Sequence, residues 1–188
     1  LRHGQSKVNV LGIVLSSLED GKKEEYTLST HGEGQVKVSV EKIKEGDLLG
    51  SDTIIYSSPF SRTKRTAEIA KEVLGVKEDI YFDDRLQERW FGDWEKTNHS
   101  AYEKVWIDDE KNPKHKESNV ESETEVLERM MSLVKDLEKK YDNRKILLVS
   151  HGDPIMILHA AIAKLSLHAF RKNKNIQVGE IRELTNEQ

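Results

Sequence analysis

The chain reads as an α/β protein: a three-layer α/β/α sandwich whose sheet is mostly parallel, with an antiparallel edge strand. Three observations predict it. Residues 53–56 and 145–149 are short runs of branched and aromatic residues bounded by turn formers, as buried strands are. Each leads through a polar turn into apolar residues at helical spacing, and strands alternating with helices produce a parallel sheet covered on both faces. The tail, residues 177–184, alternates enough to supply the edge strand.

The elements follow in order. Residues 1–9, Leu-Arg-His-Gly-Gln-Ser-Lys-Val-Asn, place short polar side chains at helical spacing behind an Arg-His-Gly triplet. Residues 10–18 are partly apolar, and the charged stretch 19–25 around Gly21 reads as a surface loop. Ser29 or Thr30 caps a helix to about Lys44. After the strand at 53–56, Thr66, Ile69, Ala70, Val73 and Leu74 mark a helix ended by Gly75. Residues 80–82 form a further short strand. Residues 96–120 are polar and contain Asn112-Pro113, which predicts a lid with at most a short helix at 102–107. Ser122-Glu123-Thr124-Glu125 is a capping box, and Val126, Met130, Leu133, Val134 and Leu137 give the helix behind it one apolar face. The strand at 145–149, buried on both faces, ends in Ser150-His151-Gly152-Asp153-Pro154 and a helix to about Leu165.

A length of 188 residues fits one domain, although only 36% of residues are apolar. The charged fraction of 34% is mixed in sign and sums to −4, which argues against a nucleic-acid binder or a binder of anionic membranes. No stretch reaches the roughly 20 apolar residues of a membrane helix. The absence of cysteine removes disulfide and thiolate chemistry and fits a cytoplasmic location. His3 should end a central strand, yet two residues precede it, so most of that first strand is expected upstream of Leu1, where a targeting signal could also lie.

In a doubly wound fold ligands bind beyond the carboxyl ends of the strands. Three segments put polar groups there, each before a helix start: Arg2-His3-Gly4, residues 57–62 and Ser150-His151-Gly152. Two histidines, Arg2, Arg62, Asn9 and helix amides form a set of donors suited to a phosphoryl group of about −1.5 to −2 charge. A nucleophilic histidine must be neutral, with one ring nitrogen hydrogen-bonded so that the other aims its lone pair at phosphorus; Gly4 would let a carbonyl approach that ring. Arg2, Arg62, Asn9 and His151 would stabilise the equatorial oxygens. Leaving-group protonation requires an acid at Asp83, Asp84 or Glu88. Glu88 is preferred because Trp90, Phe91 and Trp94 can desolvate it and raise its pKa, while pairing with Arg89 at the surface is its plain alternative.

These motifs resemble the histidine phosphatases, a family that includes the cofactor-dependent phosphoglycerate mutases. Residues 1–9 match the opening Arg-His-Gly-Glu/Gln-Ser-x-x-Asn signature. Residues 28–35 resemble its Leu-Thr/Ser-x-x-Gly-x-x-Gln element, and residues 57–67 its arginine loop, with Arg65 where glutamine is common. Residues 86–95 match the proton-donor segment, Glu121-Ser122 the Gly-Glu-Ser element with Val120 for glycine, and Ser150-His151-Gly152 completes the set. The resemblance implies a phosphoglycerate-mutase-like fold over the whole chain, phosphorylation of His3, Glu88 as proton donor and then base, His151 and Gly152 at the phosphate, and neither metal nor cofactor.

The interval between Glu88 and His151 is shorter than in the mutases and mixes Lys104, Lys111, Lys114, His115 and Lys116 with Asp108, Asp109 and Glu110. That lid favours a phosphomonoesterase, because a mutase must exclude water and hold a second anionic group. Phosphoglycerate mutase is the alternative, and a non-catalytic phosphate-binding scaffold the second. A metallohydrolase is disfavoured by the flanking arginines. The expected partner is a phosphorylated small molecule or phosphoprotein, with the chain a monomer or homodimer. Trp106 reads as packing, and His31, His99, His115, His159 and His168 as surface or structural residues.

Overall fold

The computed structural model describes residues 1–184. Its helices are α1 (Lys7–Leu11), α2 (Leu18–Gly21), α3 (Thr30–Glu45), α4 (Ser61–Leu74), α5 (Ala101–Lys111), α6 (Glu123–Lys140), α7 (Gly152–Ile162) and α8 (Leu167–Lys174). Strands β1 (Ile54–Ser57), β2 (Tyr81–Phe82) and β3 (Ile146–Val149) form a parallel sheet in the order β2-β1-β3. β1 is buried along its whole length, as a central strand covered on both faces should be. In β3 Leu147 and Val149 are buried while Ile146 and Leu148 are half-buried, so it alternates where uniform burial was expected.

Two cores flank the sheet. On one side Val36 and Val40 of α3 and Ala67, Ala70 and Leu74 of α4 pack against Ile55, Leu147 and Val149. On the other, Val126, Met130, Leu133 and Leu137 of α6 meet Ile54, Tyr56, Ile157 and Leu158. The capping box closes as its sequence predicts: Ser122 Oγ accepts from the Glu125 amide, and the Glu125 carboxylate accepts from the Ser122 amide at 3.0 Å.

Three outcomes bear on the expectations, the last two as corrections. First, residues 1–3 pair as the end of a strand would: Arg2 bridges Ser150 in parallel, and the His3 amide donates to Ser150 O at 3.1 Å. His3 is therefore fixed, with 3% of its surface exposed. Second, residues 177–184 form no strand, and no antiparallel edge strand appears among the described residues. The chain turns at Gly179, where φ is 74°, and of residues 177–184 only Gly179 and Glu180 bond to the backbone of residues 2 and 3. Third, the lid is more ordered than its polarity suggests. α5 runs from 101 to 111, seated by Ala101 and Val105 in a small core with Val14, Phe91 and Val120. The charged stretch after residue 18 likewise contains the short α2 and a 3-10 turn at Glu24–Tyr26.

Candidate active site

All three polar turns meet at one end of the sheet. His3 enters from the segment beside β3, Arg62 from the first turn of α4 and His151 from the N-cap of α7, with the two imidazole centroids 5.3 Å apart. His3 Nδ1 lies 2.7 Å from Gly4 O. A carbonyl only accepts, so Nδ1 carries the proton and Nε2 keeps its lone pair. Arg62 Nε donates to that lone pair at 3.2 Å. Burial holds the His3 pKa well below its ordinary value, and the Arg62 and Arg2 charges add to the shift. His3 is thus neutral, as a nucleophile must be. A Cβ at Gly4 would overlap the Gly32 carbonyl, so close packing of two backbones fixes this turn.

His151 is set by Ser58. Ser58 Oγ accepts from the Phe60 amide at 3.4 Å and lies 2.9 Å from His151 Nε2. Where Ser58 gives its own proton to Nε2, Nδ1 is the protonated nitrogen. Nδ1 is buried without a hydrogen-bond partner and stands 3.9 Å from Glu88 Oε2, facing the site. Burial, then the charges of Arg62 and its neighbours, also keep His151 neutral.

The arginines are anchored by one end and free at the other. Arg62 Nη2 donates to Leu15 O at 3.1 Å while Nη1 has no partner, and Arg2 Nη1 donates to Ile176 O at 2.7 Å while Nε has none. Gly152 opens α7, and a Cβ there would sit 3.2 Å from the Arg2 guanidinium carbon, so glycine lets the fork lie against the helix start. Unsatisfied buried donors of this kind mark a place for an anion.

Glu88 is 7% exposed, and its Oε1 accepts from the Arg89 amide at 2.9 Å. Burial pushes its carboxyl up to about 7, against the pull of Arg62 and with help from Asp153. Arg89 is not its surface partner: the guanidinium is fully buried and grips Asp109 at 2.7 Å through both terminal nitrogens, with Asp153 at 3.3 Å. Trp90 lies outside, 37% exposed, whereas Phe91 is fully buried.

Asn9 takes a structural role that its spacing did not reveal. Its Oδ1 accepts from the Ser6 amide and hydroxyl at 2.9 Å in the capping box of α1, leaving only its amide nitrogen for an anion. Asp83 is paired with Arg85, which lowers its pKa and leaves it a poor acid. Trp106 does more than pack, since its Nε1 donates to Asp153 at 3.0 Å. His115 is structural, 2.8 Å from Asp109 through Nε2. Arg65, on α4, binds Glu33 of α3 at 2.6 Å, and Val120 is a core residue. Among the described residues no group of His, Cys, Asp and Glu is placed to hold a metal ion, and no helix is long and apolar enough to cross a membrane.

The chain is similar to known proteins along nearly its whole length. It is 31% identical over 166 residues to the uncharacterized phosphatase PhoE of Bacillus subtilis, covering 88% of this chain and 75% of that one. It is 28% identical over 177 residues to a protein named probable phosphoglycerate mutase GpmB from Photorhabdus laumondii, covering 92% and 77%. The structure of the mycobacterial glucosyl-3-phosphoglycerate phosphatase Rv2419c superimposes with a TM-score of 0.74 at 26% identity, over 95% of this chain and 84% of that one. Residues 1–187 match the family described as the histidine phosphatase superfamily, branch 1, and the chain belongs to it.

Proposed function

We propose that this protein hydrolyses phosphomonoesters through a phosphohistidine on His3. The observation that carries the reading is the pairing of a neutral imidazole, Nε2 open toward Arg62, with a buried carboxyl whose pKa is raised to about 7. The substrate phosphoryl group would lie among Arg62 Nη1, Arg2 Nε, His151 Nδ1 and the first amides of α7. His3 Nε2 forms the N–P bond, the P–O bond breaks, and Glu88 gives its proton to the departing alkoxide. Glu88, now a carboxylate, takes a proton from water as it attacks the phosphohistidine, which releases phosphate and restores His3. Each step uses Glu88 in the state left by the previous one, so a pKa near the working pH serves both.

The likeness to a named mutase supports a second reading, but the lid favours hydrolysis. A mutase needs free cations for its substrate's second anionic group. Here Lys104 lies over Trp94 at 4.8 Å, Lys111 pairs with Asp108, His115 with Asp109 and Lys116 with Glu125, leaving Lys114 as the lid lysine with neither contact among the described residues. Arg171 is spent on Asp109, Glu123 and Asp153. A phosphate-binding scaffold would have no use for the raised carboxyl of Glu88. The substrate is proposed to be a phosphorylated small molecule or phosphoprotein in the cytoplasm, the protein acting as monomer or homodimer without metal.

The test is turnover of an alkyl phosphate by EDTA-treated protein, with acid-labile phosphate trapped on wild type and absent from His3→Ala. Strict dependence on 2,3-bisphosphoglycerate would favour the mutase, and turnover without labelling of His3 would refute the mechanism.

A further inference from the structure

Tyr102, in the first turn of α5, belongs to none of the motifs above. Its ring is pinned edge-on by Phe91, centroids 4.6 Å apart at 89°, and stacked on Trp106 at 5.8 Å and 21°. Trp106 is tied in turn to Asp153, and Phe91 to Ser16 Oγ through its amide at 3.0 Å. The phenol therefore has a fixed direction. Its hydroxyl makes no hydrogen bond among the described residues and is not one of the fully buried unpartnered groups, so it stays open to a ligand. The charges it senses are Glu88, Arg62, Asp153 and Arg2, three of which surround the nucleophile.

We propose that Tyr102 is a further substrate-binding residue, its hydroxyl donating a hydrogen bond to the phosphoryl group held between Arg2, Arg62 and His151. This rests on the phosphatase reading above. The other groups on the site are attached to the sheet end, to α4 and to α7; Tyr102 would close it from the lid side. A phosphoryl group offers acceptors in every direction, and donors from α4 and α7 alone leave the lid side unused. Burial raises the phenol pKa above its ordinary range, so the group stays a neutral donor wherever the enzyme works.

The test compares wild type with Tyr102→Phe, which keeps the ring contacts and removes only the hydroxyl. Binding of inorganic phosphate is measured by calorimetry, and kcat and KM with an aryl phosphate. The expected result is about tenfold weaker phosphate binding and a matching fall in kcat/KM, with unchanged thermal unfolding. Tyr102→Leu, which also removes the ring, separates packing from bonding. If Tyr102→Phe equals wild type in both assays and only Tyr102→Leu is impaired, Tyr102 is a packing residue and the proposal is overturned. Failure of wild type itself to bind phosphate would overturn the phosphatase reading, and this one with it.

Discussion

Replacing Glu88 by glutamine should weaken catalysis and strengthen the fold, and the second effect has a calculable size. The carboxyl is buried, and its pKa stands at about 7 against an ordinary 4.5. The folded protein therefore holds a proton that the unfolded chain has released at intermediate pH. Stability must fall as pH rises from about 4.5 to about 7 and stay reduced above that, by about 3 kcal/mol. Glutamine keeps the acceptor for the Arg89 amide and never ionises. The variant should match wild type near pH 4.5 and be more stable at pH 8 by up to about 3 kcal/mol, a rise in Tm of roughly 6–12 °C for a chain of this size. Urea unfolding across that pH range measures the difference, while kcat for an alkyl phosphate should drop by about 10²–10⁴ because no proton reaches the leaving group. A variant no more stable at pH 8 than at pH 4.5 relative to wild type would refute the claim that burial sets this carboxyl's proton affinity.

Other outcomes follow from neighbouring geometry. For substrates with poor leaving groups, kcat/KM should decline above about pH 7 as Glu88 ionises, with no acid limb near 6.5 from His3, whose pKa lies well below that; stopped assays from pH 5 to 9 read both. Ser58→Ala removes the buried partner of His151 Nε2 and should reduce kcat by about 10-fold to 100-fold while costing about 1–3 kcal/mol in urea unfolding. Arg89→Met leaves Asp109 and Asp153 buried with less counter-charge and should cost about 3–5 kcal/mol in urea unfolding. Arg65→Gln should change stability by less than about 1 kcal/mol and leave activity unchanged, because its partner Glu33 is 40% exposed.

The site was legible because its parts stand at ends of elements. A buried strand, a turn and a capped helix can be read locally, and three such ends carrying Arg2-His3, Arg62 and His151 had to converge. What escaped depends on contacts far apart in sequence. Arg89 looked like a surface partner for Glu88 because nothing nearby shows that Asp109 and Asp153 will enclose it. Ser58 was one serine in a turn of three until His151 arrived beside it. The lid helix did leave a signal, Ala101 with Val105 and Tyr102 with Trp106 at spacings of four, overshadowed by the charges between them. The tail misled because its alternation resembles a strand, whereas Gly179 turns the backbone and the Glu180 carboxylate accepts from the Gln177 amide and Arg182.

The bond from Arg62 Nε to His3 Nε2 would make the proposed site selective before any chemistry begins. In the proposed reaction the lone pair that attacks phosphorus is held by the cation that would then receive the phosphoryl group. A neutral electrophile reaching His3 must pull that fork away and offers it nothing in return. An anionic phosphate offers the fork new acceptors, and uncovers the nucleophile as it binds. Under the proposed mechanism the same guanidinium would shield His3 from stray reagents and yield it to a phosphorylated ligand.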